Sequence, residues 1–145
     1  MILADSCVII DYLRNPTSAA KNIFSRNEIA ICGVVKAEIL RGASSSSRFS
    51  RLEKALECFE NIPFEERYWT DLAQMLNNLK AQGITVPFQD AMIALLAIKS
   101  GALLWTSDKH FQMIASALPG LKLFKGTAAG TSLYIGGGPH AVGGA

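Results

Sequence analysis

Short apolar runs alternate with longer segments of helical periodicity from residue 1 to about residue 125, and this alternation constrains the fold more than any other feature. The runs are too short for core helices and are bounded by turn signals, which predicts buried strands. They cover residues 1–4, 28–35, 61–64, 102–108 and 121–124. Helical segments lie between them, which is typical of a parallel sheet. The sequence therefore predicts an α/β fold with a mainly parallel central sheet flanked by helices on both faces.

The composition indicates one compact domain. Of the 145 residues, 50% are hydrophobic and 18% are charged, and the net charge of +2 permits a polyanionic partner without requiring one. The longest apolar run, AMIALLAI, is far shorter than the roughly 20 residues that span a membrane, and no signal peptide is visible. Cys7, Cys32 and Cys58 are widely spaced among apolar neighbours. This pattern indicates free thiols in a reducing compartment, so we expect a cytoplasmic protein.

Residues 126–145 differ in kind from the rest of the chain. This segment is rich in glycine, contains no acidic residue and has no periodicity. We expect a flexible terminus or an extension added during cloning rather than a functional tail, and we exclude it from the fold argument. The predicted folded domain is therefore residues 1–125.

Four acidic residues follow predicted strands or begin the helices after them. Asp5 ends the first strand, and Glu38 lies in the first turns of the helix after the second. Asp90 opens the helix that begins PFQD, and Asp108 follows the strand LLWTS. The carboxyl ends of parallel strands and the starts of the following helices share one edge, so we expect the four carboxylates to converge there. Taken singly, Asp90 and Asp108 could be helix caps or first-turn acids, and Glu38 could pair with Arg41.

Converging carboxylates repel one another unless a cation lies among them. An all-oxygen set of ligands suits Mg²⁺ or Mn²⁺ better than zinc, and such an ion serves phosphoryl chemistry. Asp5 interrupts an apolar run, where a lone buried carboxylate would be costly and where a cap would not explain it. We therefore expect Asp5 to face a metal ion, and we expect Asp5→Asn to raise the melting temperature of the metal-free protein.

Four segments resemble, in order, the signatures of the PIN-domain ribonucleases and especially of VapC-type toxins. They are ADSCVIIDYLR, VVKAEILRGA, PFQDAMIALLA and LLWTSDKHF. The resemblance runs from residue 1 to about residue 124. It implies a Rossmann-like PIN domain with the activity of a Mg²⁺- or Mn²⁺-dependent endoribonuclease, which hydrolyses RNA to a 5′-phosphate and a 3′-hydroxyl. It also implies the toxin component of a type II toxin–antitoxin system, with a cognate antitoxin protein and a homodimeric assembly.

The resemblance also implies roles for single residues. The catalytic quartet of the family corresponds to Asp5, Glu38, Asp90 and Asp108. Asp5, Asp90 and Asp108 would hold the metal. Glu38 would orient water or a second ion.

Other polar residues keep two interpretations. Ser6 and Thr106 match the hydroxyl positions that support the quartet of the family. Four arginines could contact RNA or the antitoxin, or could equally belong to a solvated face: Arg14, Arg41, Arg48 and Arg51. His110 could shuttle a proton or hold a phosphate, but we interpret it as a surface or helix-start residue.

Two apolar groups are expected in the core rather than at a binding surface. Tyr68 and Trp69 begin a long helix and are expected to pack inside rather than to stack on bases. An amphipathic helix from residue 48 presents one apolar face, which is also expected to close the core. Its members are Phe49, Leu52, Leu56 and Phe59.

Other classes of α/β protein fit less well. A haloacid-dehalogenase-like phosphatase would need an acid at position 7, where this chain has Cys7, and a receiver domain would need adjacent acids where Ser6 follows Asp5. A dinucleotide-binding domain would need a glycine-rich turn after the first strand. The remaining alternative is a non-catalytic PIN-like module whose acidic edge recruits a basic peptide. Metal-dependent RNA cleavage that is lost in Asp5→Asn would separate the enzyme from this module.

Overall fold

A computed structural model describes residues 1–126 and, as backbone alone, residues 132–136. Within them, six strands form one sheet: β1 (Ile2–Ala4), β2 (Ile29–Cys32), β3 (Glu60–Ile62), β4 (Leu103–Trp105), β5 (Lys122–Gly126) and β6 (Ser132–Gly136). Their order is β3-β2-β1-β4-β5-β6. β1 to β5 are parallel to one another, and β6 pairs with β5 in the antiparallel sense. This arrangement confirms the predicted α/β fold with a mainly parallel sheet.

Helices connect the strands, and their ends follow capping rules. They are α1 (Ser6–Arg14), α2 (Ser18–Arg26), α3 (Gly33–Arg41), α4 (Ser46–Leu56), α5 (Tyr68–Ala81), α6 (Phe88–Ser100) and α7 (His110–Ala117). The Thr17 hydroxyl caps α2 by accepting a hydrogen bond from the Ala20 amide, and the Ser45 hydroxyl caps α4 in the same way. Gly101 caps the carboxyl end of α6, and its φ of 70° suits glycine. None of the helices in the described ranges is long and apolar enough to cross a membrane.

The central strands are buried on both faces, which explains their nearly continuous apolar sequences. Leu3 and Leu104 are fully buried and pair with each other across β1 and β4. α6 supplies the largest helical share of the core. Its buried residues are Ala91, Ile93, Ala94, Leu95, Leu96 and Ala97.

The connectivity places a crevice between β1 and β4. From β1 the chain moves outward through β2 to β3, and it then crosses to the other side to form β4 and β5. At such a switch point the loops after the two central strands diverge, which leaves a crevice at their carboxyl ends. Asp5 directly follows β1, and Thr106, Ser107 and Asp108 follow β4. The fold therefore positions a site between these two loops.

Several details of the sequence interpretation are wrong. The strands predicted over residues 61–64 and 102–108 end at Ile62 and Trp105. The strand predicted over residues 28–35 ends at Cys32, and Gly33 begins α3. Hydrophobicity alone does not distinguish a buried strand from the buried first turn of a helix. Val35 lies in the first turn of α3 and is fully buried. Phe49 and Trp69 are 41% and 46% exposed, so neither is a core residue.

The other residues of those two groups pack as expected. Leu56 and Tyr68 are buried, and Leu52 and Phe59 are partly buried against the core. On α4, the packed part of the apolar face begins one turn after Phe49.

β6 was not predicted from the sequence. Its backbone pairs with the whole of β5, for example Tyr134 with Phe124 and Ile135 with Leu123. The other tail residues after Gly126 lie outside the described residues. The division into a domain of residues 1–125 and a tail of residues 126–145 stays a prediction.

Candidate active site

Asp5 lies at the end of β1, where it is only 7% exposed, and it is the one buried charged residue in the described part of the chain. Its Oδ1 accepts a hydrogen bond of 2.8 Å from the backbone amide of Ser6. Its Oδ2 accepts one of 2.8 Å from the Thr106 hydroxyl and a longer one of 3.6 Å from the Cys7 thiol. Asp5 is also the N-cap of α1. The expectation that a cap would not explain this acid is therefore wrong, since both carboxylate oxygens have protein donors.

Thr106 joins the two loops of the crevice. Its hydroxyl donates to Asp5 Oδ2 and accepts a hydrogen bond of 3.0 Å from the Asp108 amide. The Cys7 thiol lies 3.8 Å from the same hydroxyl oxygen. The Thr106 hydroxyl thus contacts Asp5 directly, and the supporting role that the resemblance implies stays a prediction. Ser6 meets Asp5 through its backbone amide rather than through the expected hydroxyl.

Asp90, Asp108 and His110 form the outer part of the site. One potential ligand atom from each lies within 4.8 Å of the other two. The His110 amide donates a 2.9 Å hydrogen bond to Asp108 Oδ1, and His110 Nδ1 lies 3.7 Å from that oxygen. Two carboxylates and an imidazole can hold a divalent cation, and the nitrogen extends the all-oxygen set expected from the sequence.

The directions of the pKa shifts show that the acids interact with one another. The pKa of Asp90 is raised above its usual value, first by burial and then by Asp108 and Asp5, while His110 lowers it. The pKa of Glu38 is also raised, first by burial and then by Asp5 and Asp90, while Arg41 lowers it. The four carboxyl groups therefore lie in one region of negative potential, at which a cation is stabilised. We call Asp5, Glu38, Asp90 and Asp108 the acidic site.

The structure brings all four predicted acids together at the carboxyl edge of the sheet. It adds Cys7 and His110, which the sequence analysis did not assign to the site. The thiol carried no signal. His110 was considered as a proton shuttle or phosphate ligand and interpreted as a surface or helix-start residue, and it is the exposed first residue of α7. The tightest potential ligand set within the described residues contains Asp90, Asp108 and His110, and Asp5 lies beside it. The catalytic roles stay predictions.

The four predicted arginines divide into two groups. Three of them line a groove of about 220 Å³ between α1 and α4, together with apolar side chains. The lining residues are Leu13, Arg14, Arg48, Arg51, Leu52 and Ala55. Arg41 instead lies near Glu38, as its effect on the Glu38 pKa shows.

The chain belongs to the PIN-domain family, since the model of that family matches residues 2–117. It is 28% identical over 124 residues to Ribonuclease VapC1 of Methanocaldococcus jannaschii, which covers 85% of this chain and 86% of the relative. It is 29% identical over 96 residues to Ribonuclease VapC18 of Mycobacterium tuberculosis, which covers 63% of this chain and 70% of the relative.

Solved structures show the same fold. The crystal structure of VapBC2 from Rickettsia felis, bound to a DNA fragment from its promoter, has a TM-score of 0.70 at 25% identity. That match covers 83% of this chain and 96% of the other. VapBC-1 from nontypeable Haemophilus influenzae has a TM-score of 0.65 at 25% identity and covers 79% and 92% of the two chains. The protein is thus a distant homologue of VapC ribonucleases and of VapBC toxin–antitoxin structures.

Proposed function

We propose that this protein is a divalent-metal-dependent endoribonuclease that acts as the toxin of a type II toxin–antitoxin pair. The observation that carries the proposal is the convergence of four carboxyl groups at the switch point of a PIN-domain sheet. Two relatives that are named ribonucleases support the same chemistry. The proposed reaction is hydrolysis of an RNA phosphodiester bond to a 5′-phosphate and a 3′-hydroxyl.

Asp90, Asp108 and His110 would hold a Mg²⁺ or Mn²⁺ ion, with Asp5 beside them as a further ligand. When bound, the ion supplies positive charge for the scissile phosphate and lowers the pKa of a coordinated water. Asp5 is suited to a fixed orientation, since Ser6 and Thr106 hold one oxygen each. The four acids offer charged oxygen ligands, which fit a hard cation.

Glu38 would orient the attacking water and accept its proton. Its raised pKa results from burial and from the negative charge of Asp5 and Asp90. A carboxylate with a raised pKa is a better base near neutral pH than an ordinary one. The positive charge of Arg41 lowers the pKa of Glu38 and so offsets part of this rise.

Two regions of the surface suit a protein partner: the groove between α1 and α4, and the acidic site. The groove between α1 and α4 has Leu13 and Leu52 beside its three arginines. Such a groove fits an amphipathic helix that carries acidic side chains next to its apolar face. The acidic site would instead attract a lysine or an arginine, which could replace the metal. We propose that the antitoxin presents such a helix and then a basic residue.

The proposal is tested by cleavage of cellular RNA with purified protein, in Mg²⁺ or Mn²⁺ and in chelator, with mapping of the new ends. Asp90→Asn should lower the rate by about 100-fold or more, as expected when stabilisation of transition-state charge is lost. Asp11→Asn removes an exposed acid of α1 and is the matched control. Unchanged metal-dependent cleavage by folded Asp90→Asn would contradict the assignment. A folded wild type that binds basic peptides but cleaves no RNA would be the non-catalytic module instead.

A further inference from the structure

The opposite edge of the sheet carries a second acidic feature. Glu28 directly precedes β2, and Glu60 is the first residue of β3. Ala30 and Glu60 are partners in the β2–β3 register, so Glu28 and Glu60 project from the same face. The two side chains line the same cavity, and the proximity of Glu28 raises the pKa of Glu60. Both residues are exposed. The two carboxyls therefore form a close pair in contact with solvent.

Two helix ends add negative potential beside this pair. α2 ends at Arg26, two residues before Glu28, and α4 ends at Leu56, four residues before Glu60. The last carbonyl groups of a helix carry the negative end of its dipole, which favours a cation nearby. The helix ends and the carboxyl pair thus both favour a cation, and Arg26 and Lys54 in the last turns of these helices offset part of that potential.

A cavity of about 500 Å³ lies next to the carboxyl pair and has an aromatic wall. The rings of Tyr12 and Phe24 are stacked with centroids 3.8 Å apart, and Phe59 meets Phe24 edge-on at 5.9 Å. Among the residues that line the cavity, Lys21 is the single basic one, against Glu28 and Glu60. Aromatic faces next to carboxylates suit a guanidinium group, which stacks on rings and donates to two acceptors at once.

The cavity adjoins an exposed strand edge. β3 is the last strand of the sheet on this side, and it pairs only with β2 within the described residues. Glu60 and Asn61 are exposed, and Ile62 is partly buried. The outer side of an edge strand presents backbone donors and acceptors that an extended peptide can pair with.

We propose that β3 and the adjoining cavity bind an extended, arginine-bearing segment of a second protein. The segment adds to β3 as a further strand, and its guanidinium lies between Glu28 and Glu60 against the aromatic wall. A second copy of this chain fits less well, because pairing β3 with β3 brings two acidic pairs together. The surface lies at the amino ends of the parallel strands, and the acidic site lies at their carboxyl ends. The interaction is therefore independent of the proposed nuclease activity.

The test uses the peptide acetyl-Thr-Arg-Val-Arg-Thr-amide and the full chain, with binding measured by calorimetry. Glu28→Gln and Glu60→Gln should each weaken binding about three- to fivefold, as expected for an exposed ion pair. A peptide with citrulline in place of arginine should also bind more weakly. Glu53→Gln removes an exposed acid of α4 and should leave the affinity unchanged. RNA cleavage by the Glu28→Gln/Glu60→Gln double variant should equal that of wild type.

Three results would overturn the proposal. The first is equal affinity of wild type and the double variant for the arginine peptide. The second is unchanged affinity for a peptide that is N-methylated at alternate residues, because strand pairing requires those amides. The third is dimerisation of the free chain, by sedimentation, that becomes stronger in the Glu28→Gln/Glu60→Gln double variant, since a second copy paired through β3 would then be the occupant.

Discussion

Asp5 and Asp90 belong to the same acidic site but lie in different electrostatic surroundings. Asp5 is buried, and its two oxygens accept hydrogen bonds from Ser6, Thr106 and Cys7. Asp90 is half-buried, and its pKa is raised by burial and by the negative charges of Asp108 and Asp5. Asp5 is thus stabilised by neutral donors of the protein, whereas Asp90 gains most from a cation. The comparison indicates that hydrogen bonds within the protein stabilise the charge of Asp5, whereas the charge of Asp90 is stabilised by a bound cation.

The largest expected effect is the stabilisation of the folded protein by metal. At about 100 times its dissociation constant, Mg²⁺ or Mn²⁺ should add roughly 2.7 kcal/mol to the free energy of unfolding. For a domain of this size that raises the melting temperature by roughly 5–10 °C. Asp90→Asn should lose most of this rise, because it removes a charged ligand where the other acids raise the pKa. Thermal melting with metal and with chelator measures the effect.

Asp11→Asn is the control for this measurement, since Asp11 is an exposed acid on α1 outside the acidic site. It should keep the full rise in melting temperature. If Asp90→Asn responds to metal as strongly as wild type does, Asp90 is not a ligand, and the distinction between the two acids fails.

A smaller effect is expected from the hydrogen bond that fixes Asp5. Thr106→Val keeps the shape of the side chain but removes the hydroxyl that donates to Asp5 Oδ2 and accepts from the Asp108 amide. Leaving a buried acceptor short of a donor should lower the free energy of unfolding by about 1–3 kcal/mol. Denaturant unfolding in chelator measures this loss.

Thr106→Ser is the matched control, because it retains the hydroxyl and removes only a methyl group. Its free energy of unfolding should lie much closer to that of wild type. Equal losses in Thr106→Val and Thr106→Ser would mean that packing, and not the contact with Asp5, makes Thr106 important.

The fold could be predicted because its signals are local and agree with one another. Apolar runs give way to helical periodicity at each strand end, and Gly101 ends α6 where the apolar pattern stops. The prediction failed at Gly33 and Val35, where a buried helix begins without any change in polarity. It also failed to include β6, whose pairing with β5 is not indicated by any local pattern.

The convergence of the four acids could be predicted because a parallel sheet brings the carboxyl ends of its strands to one edge, independently of side-chain conformation. The partners of Asp5 could not, since Thr106 is 101 residues away and its contact depends on how the loop after β4 turns. The contact between His110 and Asp108 could not be predicted for the same reason, although the interpretation of His110 as an exposed helix-start residue is confirmed. The amide of His110 bonds to Asp108 in that turn, which brings the imidazole to the site.

The smallest expected effect concerns the metal-free protein. The sequence analysis expected Asp5→Asn to relieve repulsion and to stabilise the metal-free fold. The hydrogen bonds of Asp5 favour the opposite outcome, because an Asn amide would face a donor such as the Thr106 hydroxyl or the Ser6 amide. Asp90→Asn, by contrast, should raise the melting temperature of the metal-free protein. It removes a charge whose pKa is raised first by burial and then by Asp108 and Asp5.

The pH dependence tests this assignment. The pKa of Asp90 in the folded protein lies above its usual value of 3.8. Protonation of Asp90 therefore contributes its full share to the free energy of unfolding at pH values below 3.8. That stability is lost as the pH rises through the raised pKa, and Asp90→Asn does not lose it. In chelator, the melting temperature of Asp90→Asn relative to wild type should therefore increase across this range, and added metal should reverse the order. A difference that stays constant with pH would show that Asp90, like Asp5, is already stabilised by the protein.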